Sequence, residues 1–495
     1  MGIKRYYATK DSTITNAFED NLTTRGTGSN MGASDILEAF VIHGETSASI
    51  NATNAEQSRF LIQFPIDNLK RDILQGTVPS GNLEYRLRLY NSPHADTLPK
   101  NFYLDVTMVS SSWDEGNGLD MENYSDLGEC NWGQPTPSTA WTSEGGDVHL
   151  GSANSGSAYF KIGTEDLDID VSFAVDQWRS EDKENYGFLI KNTDPVISGT
   201  LGSYFTKKFF GRTTEFFFYR PVLEVRWDSS RQDNRGNFTL SSSLAPAADN
   251  INTLHLYNKI RGELKDIPNL AGGPQYLLVN IHSGSNGIPS GSALRVINSS
   301  GESVTNITGG LLVENAINIT GTYSASFAST SSYNQLCDVW FTGSGVNRVE
   351  FFTGSFDPQS ITGSALLYDD EYITDVTNLK SSYIKGQKPR LRTFVRKKDW
   401  CPNIYTSATQ KIEPIIVDSA YYRLTRAIDN KEIIPFGTGS IPYTKLSYDV
   451  SGNYFELDTS ILEKGYIYQV QFLYYLFGQY REQPEVFKFR VEEEN

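Results

Sequence analysis

Apolar and polar side chains alternate in short runs along much of this 495-residue chain. Arg59-Phe-Leu-Ile-Gln-Phe64, Tyr85-Arg-Leu-Arg-Leu-Tyr90, Val222-Leu-Glu-Val-Arg-Trp227 and Glu485-Val-Phe-Lys-Phe-Arg-Val491 all carry this pattern. A period of two sends one set of side chains into a core and the other into water, the signature of a half-buried strand. The longer period of an amphipathic helix is almost absent; a single helical turn is expected at Phe173 to Arg179.

Turn-forming residues divide these runs into three groups, and the pattern predicts an all-β chain of three tandem β-sandwich domains, jelly-roll-like and immunoglobulin/fibronectin III-like. The expected boundaries are 1–230, 237–360 and 364–495. Asp228 to Gly236 is polar and reads as a linker. In the first group the expected strands include Lys4 to Ala8, Ser58 to Pro65, Leu83 to Tyr90 and Pro221 to Trp227, with a Gly/Trp-rich loop from Trp113 to Gly146. In the third, Asp449-Val-Ser-Gly-Asn453 between two strand-like runs is a hairpin signal.

Composition narrows the function. The 28 Tyr and 27 Phe suit half-buried sheet faces and protein interfaces. A net charge of −16 argues against nucleic acid as a partner, which needs a concentrated basic surface. The basic run Arg390 to Lys398 alternates with apolar residues and reads as a strand with one charged face, or as a contact for an acidic partner subunit. Cys130, Cys337 and Cys401 are too few and too far apart for a disulfide framework. No apolar segment of secretory type opens the chain and no long apolar run marks a membrane span, so cytoplasmic assembly without membrane contact is expected.

Enzymatic chemistry finds little support. His43, His94, His149, His255 and His282 show no metal-ligand spacing, and no phosphate-cradling glycine loop precedes a helix. No catalytic residue or cofactor is assigned. Acidic residues recur at Asp369-Asp-Glu371 and at Glu165-Asp-Leu-Asp-Ile-Asp170. In the second, Asp166, Asp168 and Asp170 share one strand face, where a structural calcium ion would relieve their repulsion. A solvated edge that blocks unwanted strand pairing is the preferred reading.

The first group resembles the DNRLRE domains, β-sandwich modules related to disaggregatase-type carbohydrate-binding modules. The resemblance is carried by Lys10-Asp-Ser-Thr-Ile14, Asn30-Met-Gly-Ala-Ser-Asp35, Ser58-Arg-Phe-Leu-Ile-Gln-Phe64, Ser112-Trp-Asp-Glu-Gly116, Asn131-Trp132, Trp141, Gly145-Gly146, Asn185-Tyr-Gly-Phe-Leu-Ile-Lys191 and Arg220-Pro-Val-Leu-Glu-Val225. Such a module followed by two further β units looks like the virion structural proteins of tailed marine phages. The resemblance implies a non-enzymatic tail, baseplate or neck component located in the virion. Its partners would be other virion proteins and symmetry-related copies of itself.

Two aromatic sets are candidates for its contacts. Trp113, Trp132 and Trp141 lie on loops where they would stack on a sugar or dock into a neighbour, or else cap the sandwich core, which the recurrence of these tryptophans in the DNRLRE pattern favours. Phe216, Phe217 and Phe218 belong to a run too apolar for a free loop, and should form an interior strand or a buried partner contact. The rival reading is a glycan-binding adhesin that takes a host surface glycan through the first module. A polysaccharide depolymerase is the third, with no recognisable acid pair behind it.

Overall fold

The computed structural model describes residues 2–19, 21–42, 56–119, 129–193, 204–270, 276–314, 317–359, 371–398, 414–476 and 478–493. His43, Cys401, Asp369 and Asp370 lie outside the described residues. The chain is an all-β protein of tandem β-sandwiches, with two short α-helices among the described residues. It divides into two compact units, one built from Ile3–Val78 and Asn82–Trp227, the other chiefly from Asp228–Asn495.

The first unit contains strands β1 (Ile3–Tyr7), β2 (Lys10–Thr15), β3 (Ile36–Ile42), β4 (Glu56–Gln63), β5 (Glu84–Leu89), β6 (Phe102–Met108), β7 (Ser155–Phe160), β8 (Leu167–Asp170), β9 (Phe188–Asn192), β10 (Tyr204–Phe210) and β11 (Val222–Arg226), with helices α1 (Ile66–Leu74) and α2 (Ser172–Arg179). One sheet has the order β1-β11-β5-β8. The other runs β10-β3-β4-β9-β6-β7, with β2 also paired to β4. The expected alternation is visible residue by residue: in β5, Tyr85, Leu87 and Leu89 are buried and the residues between them are half-buried. These side chains meet Phe60, Ile62, Leu104, Val106, Phe188 and Ile190 from the facing sheet in one core. Ala174, Val175 and Trp178 of α2 join that core from the side.

Three features of this unit differ from the sequence expectation. β2 is a strand although it reads Lys-Asp-Ser-Thr-Ile-Thr, and its Asp11, Ser12, Thr13 and Thr15 are fully buried. Helix α1 begins directly after Pro65, where the ring ends the preceding strand and suits a helix start. The run Phe216 to Tyr219, expected as a strand, is instead a single 3₁₀ turn over Phe217–Tyr219, and the neighbouring strand is β10.

The 237–360 and 364–495 regions share the second compact unit. In the former, nine of the described strands form one sheet whose central members include Tyr276–Ser285, Ile307–Glu314 and Ile317–Ala328. Its buried side chains, among them Phe238, Leu254, Val279, Phe327 and Trp340, make a separate core. The C-terminal region has a four-stranded and a six-stranded sheet, and Tyr422 from one stacks on Phe455 from the other at 4.5 Å. The predicted hairpin is present, with Ser447–Asp449 paired to Gly452–Glu456. The two basic ends of Arg390 to Lys398 are engaged within the chain: Arg390 with Glu456, and Lys398 with Glu371. Arg392 makes a two-pronged pair with Asp449 at 2.7 and 2.8 Å.

The stretch read as a linker is a structural element. Arg231 and Asp233 hydrogen-bond to both sides of Tyr448 in a short parallel ladder. Arg231 also grips Glu314 with two bonds of 2.8 Å, and Arg235 pairs with the fully buried Asp338. Its polar composition signals this role as well as it signals a free tether, which is why sequence alone misreads it.

Candidate functional site

The three candidate tryptophans come together in the first unit. Trp113, Trp132 and Trp141 pack there with Ile14, Leu61, Val109, Cys130 and Leu189 in a satellite core. Their exposures are only 2, 4 and 6%, so none offers a ring face to a ligand or a partner. The indole N–H of Trp113 donates to the Tyr186 carbonyl and that of Trp141 to the Asn131 carbonyl, both at 2.8 Å. Trp132 is covered by the Arg59 guanidinium at 4.7 Å, and Arg59 in turn donates to the Gly145 carbonyl at 3.0 Å. Gly145 has φ +83°, and a Cβ there would come within 2.9 Å of the Trp132 ring, so a glycine is required on both counts. The reading of these tryptophans as sugar-stacking or docking platforms is therefore corrected: they cap the core.

The polar members of the motif make ties in the same unit. Asn30 Oδ1 accepts the Gly118 N–H at 2.9 Å, and a Cβ on Gly116 would lie 1.7 Å from that oxygen. Glu115 accepts the Asp11 N–H at 2.8 Å and takes two bonds from Arg212, at 2.9 and 2.6 Å. Asp11 itself accepts the Arg212 backbone N–H at 2.6 Å. Burial pushes the Asp11 carboxyl up to about 7, with the nearby Glu115 charge adding to the rise against the opposing pull of Arg212. Burial likewise raises the Cys130 thiol, assisted by the charge of Asp114, so this cysteine is an inert core residue.

Asp166, Asp168 and Asp170 do not form an oxygen cage. Asp166 accepts the Asn91 N–H and Asp170 the Ser172 N–H at the start of α2, each at 2.8 Å. Asp168 faces the guanidinium groups of Arg86 at 2.7 Å and Arg88 at 3.6 Å. The calcium expectation fails here because arginines on the adjacent strand already neutralise the carboxylate in the middle. β8 is an edge strand of its sheet. On the same face, the fully buried Glu224 is held by Arg5 at 2.9 Å, Arg88 at 3.3 Å and Arg226 at 2.6 Å. Burial alone would raise that carboxyl, but the three arginines outweigh it and hold it down to about 2.

The second aromatic set behaves differently. Phe218 is buried and Phe217 half-buried against Tyr7, whereas Phe216 is 51% exposed. Phe216 stands edge-on to Tyr219 and Phe210, with ring centres 6.0 and 5.8 Å away, and Tyr219 also meets Tyr90 edge-on. The turn beneath is fastened by Tyr219 N–H to the Phe216 carbonyl at 2.9 Å and by Arg220 Nε to the Thr214 carbonyl at 3.1 Å. Beside it lies a surface depression of about 450 Å³ lined by Tyr7, Thr9, Arg212, Thr213, Arg220 and Pro221. Phe210 and Tyr219, which complete the ring stack, belong to the same aromatic run, Phe209 to Tyr219, that the sequence marks as an interior strand or a buried partner contact.

Histidine and metal chemistry find no further support among the described residues. Among the described residues no group of three or more His, Cys, Asp or Glu side chains is arranged to hold a metal. His255 is buried, and burial with the positive charge of Arg231 lowers it to about 4, which keeps it neutral. Among the described residues no helix is long and apolar enough to cross a membrane.

No known protein family and no curated protein matches the chain. Among solved structures it is similar to the N-terminal four Ig domains of Dscam1 isoform 9.44, at 12% identity and a TM-score of 0.14. That match covers 45% of this chain, which spans 44% of the other. A DUF4785 family protein from Legionella pneumophila is matched at 9% identity over 91% of this chain and 90% of that one, with a TM-score of 0.13.

Proposed function

We propose that this protein is a non-enzymatic structural component of a tailed-phage virion, part of its tail, baseplate or neck. It acts by assembling with other virion proteins and with copies of itself. The observation that carries this reading is the contrast between an inward-turned set of charged and indole groups and the exposed ring of Phe216, mounted on a fastened aromatic stack. A rigid aromatic that needs no reordering loses little entropy when a partner covers it, which is what a permanent assembly contact requires. The ionisable groups of the first unit are largely engaged with one another, as in the Glu224 and Arg212 clusters, and this supports a scaffold over a catalyst.

The glycan-binding alternative needed Trp132 or Trp141 at the surface, and both are buried. The deciding experiment is quantitative mass spectrometry of purified particles from cells producing this protein. It should be recovered at a fixed, stoichiometric ratio to other particle proteins; its absence from the particles would overturn the proposal.

A further inference from the structure

Lys207 is the most unusual side chain in the first unit. It lies in β10 and is fully buried. Its amine is flanked by the rings of Phe160 at 5.1 Å and Phe209 at 4.8 Å. Three oxygens receive its hydrogens: the side-chain carbonyl of Asn91, and the backbone carbonyls of Gly163 at 2.8 Å and Glu165 at 2.7 Å. No carboxylate is hydrogen-bonded to it. One is close: Asp166 accepts the backbone N–H of Asn91 itself at 2.8 Å, and its charge acts on the Lys207 amine. A lysine amine and an asparagine carboxamide thus meet beside two phenyl rings, the amine hydrogen-bonded to the oxygen on the carboxamide carbon, with an exposed carboxylate held on the same asparagine's backbone N–H.

We propose that Lys207 and Asn91 join spontaneously in an intramolecular isopeptide bond, with Asp166 as the proton carrier. The lone pair of the neutral Lys207 Nζ forms a bond to Asn91 Cγ, and the carbonyl π pair moves onto Oδ1. Asp166 takes a proton from Nζ and delivers it to Asn91 Nδ2. The tetrahedral centre then collapses, the Cγ–Nδ2 bond breaks, and ammonia leaves. Amine plus carboxamide gives secondary amide plus ammonia, so no oxidant or other co-reactant is needed. The burial of Lys207 favours the step: it lowers the amine to about 8, against a smaller opposing effect of Asp166 and Glu165, so a neutral fraction exists near neutral pH. The product would tie β10 to the segment after β5, residues 116 apart in sequence, within one sandwich. Such a tie suits a protein built for permanence, but the chemistry stands or falls independently of the virion reading.

The test is intact-mass measurement of the full chain under denaturing conditions, followed by protease digestion and peptide sequencing. The expected result is a chain lighter than its sequence by one ammonia and a branched peptide that joins Lys207 to Asn91. Ammonia also leaves when an asparagine cyclises on its own backbone, so the branched peptide is the deciding signal. Lys207→Arg and Asn91→Ala should each abolish it, and Asp166→Asn should reduce the joined fraction several-fold. Recovery of Lys207 and Asn91 from the unaltered chain in two separate linear peptides would overturn the proposal and leave Lys207 as an ammonium held by three oxygens.

Discussion

Two aromatic-rich stretches of the first unit, 113–146 and 209–219, meet opposite fates. The three tryptophans of the former turn inward, and the phenylalanine at position 216 turns outward. Ring size and hydrophobicity do not explain this, since Trp is no greasier than Phe. The polar frame around each ring does. Trp113 and Trp141 each find a backbone carbonyl for the indole N–H, and Trp132 lies under a guanidinium that is itself bonded. Buried indoles need such acceptors, and a loop that supplies them becomes part of the core. The turn at 216–219 satisfies its own backbone locally and presses its rings together, so one ring edge is left over. Aromatic content therefore marks two different things: a core cap where acceptors converge, and an exposed ring where they do not.

The strongest way to break this comparison is Trp132→Ala. The ring is 4% exposed, and its loss leaves a hole beneath Arg59 that the close Gly145 backbone has little freedom to fill. Removing a buried Trp costs about 3–5 kcal/mol. Urea unfolding followed by circular dichroism should show a midpoint shift of that size. A change under about 1 kcal/mol would mean that the ring is not a core member.

Asp11→Asn is expected to have a smaller effect, with a sign that depends on pH. The Asp11 carboxyl is raised in the folded state to about 7, above the ordinary value of about 3.9. The folded chain thus holds the proton more tightly. The stability Asp11 contributes is fully present below the unfolded pKa and is lost as pH rises through about 7. Asparagine keeps an oxygen to accept the Arg212 N–H without the charge. The variant should gain on the wild type between pH 5 and pH 8 by on the order of 2 kcal/mol. Thermal unfolding of both proteins across that range is the check, and a constant difference would show that Asp11 stays ionised throughout.

The same comparison explains what was legible in the sequence. β5 and β11 could be read because one face is apolar, and period two survives whatever lies opposite. β2 could not. Its buried residues are small and polar, and they are buried only because neighbours supply partners: Thr13 accepts the Glu38 N–H at 3.1 Å and Thr15 donates to the Gln57 carbonyl at 3.0 Å. Those partners lie tens of residues away in sequence. The Phe216 run misled in the opposite sense. Its apolar density resembles a strand, but Thr214 turns back toward the Phe216 N–H, and Pro221 constrains Arg220 just after. The tryptophans were legible as a set, with both orientations open, because spacing carries no information about acceptors. Lys207 gave no sign at all, since two adjacent lysines in an aromatic run point to opposite strand faces, and nothing local says which one turns inward until Asn91 is brought beside it.

Phe216→Ala should have the smallest effect on the isolated fold, and it isolates the other half of the comparison. The ring is half exposed and rests edge-on against two neighbours, so its removal opens no cavity. Stability should stay within about 0.5 kcal/mol of the wild type. On the assembly role proposed above, incorporation into particles should nevertheless fall several-fold, because an aromatic anchor of an interface is commonly worth about 2 kcal/mol or more. Unfolding measured beside particle composition separates the two effects. If the variant is as stable as the wild type and enters particles equally well, then Phe216 is an ordinary exposed side chain. The contact surface must then be sought on another face of the molecule. If instead it unfolds early, the turn at 216–219 belongs with the tryptophans as a core cap, and the distinction between the two stretches disappears.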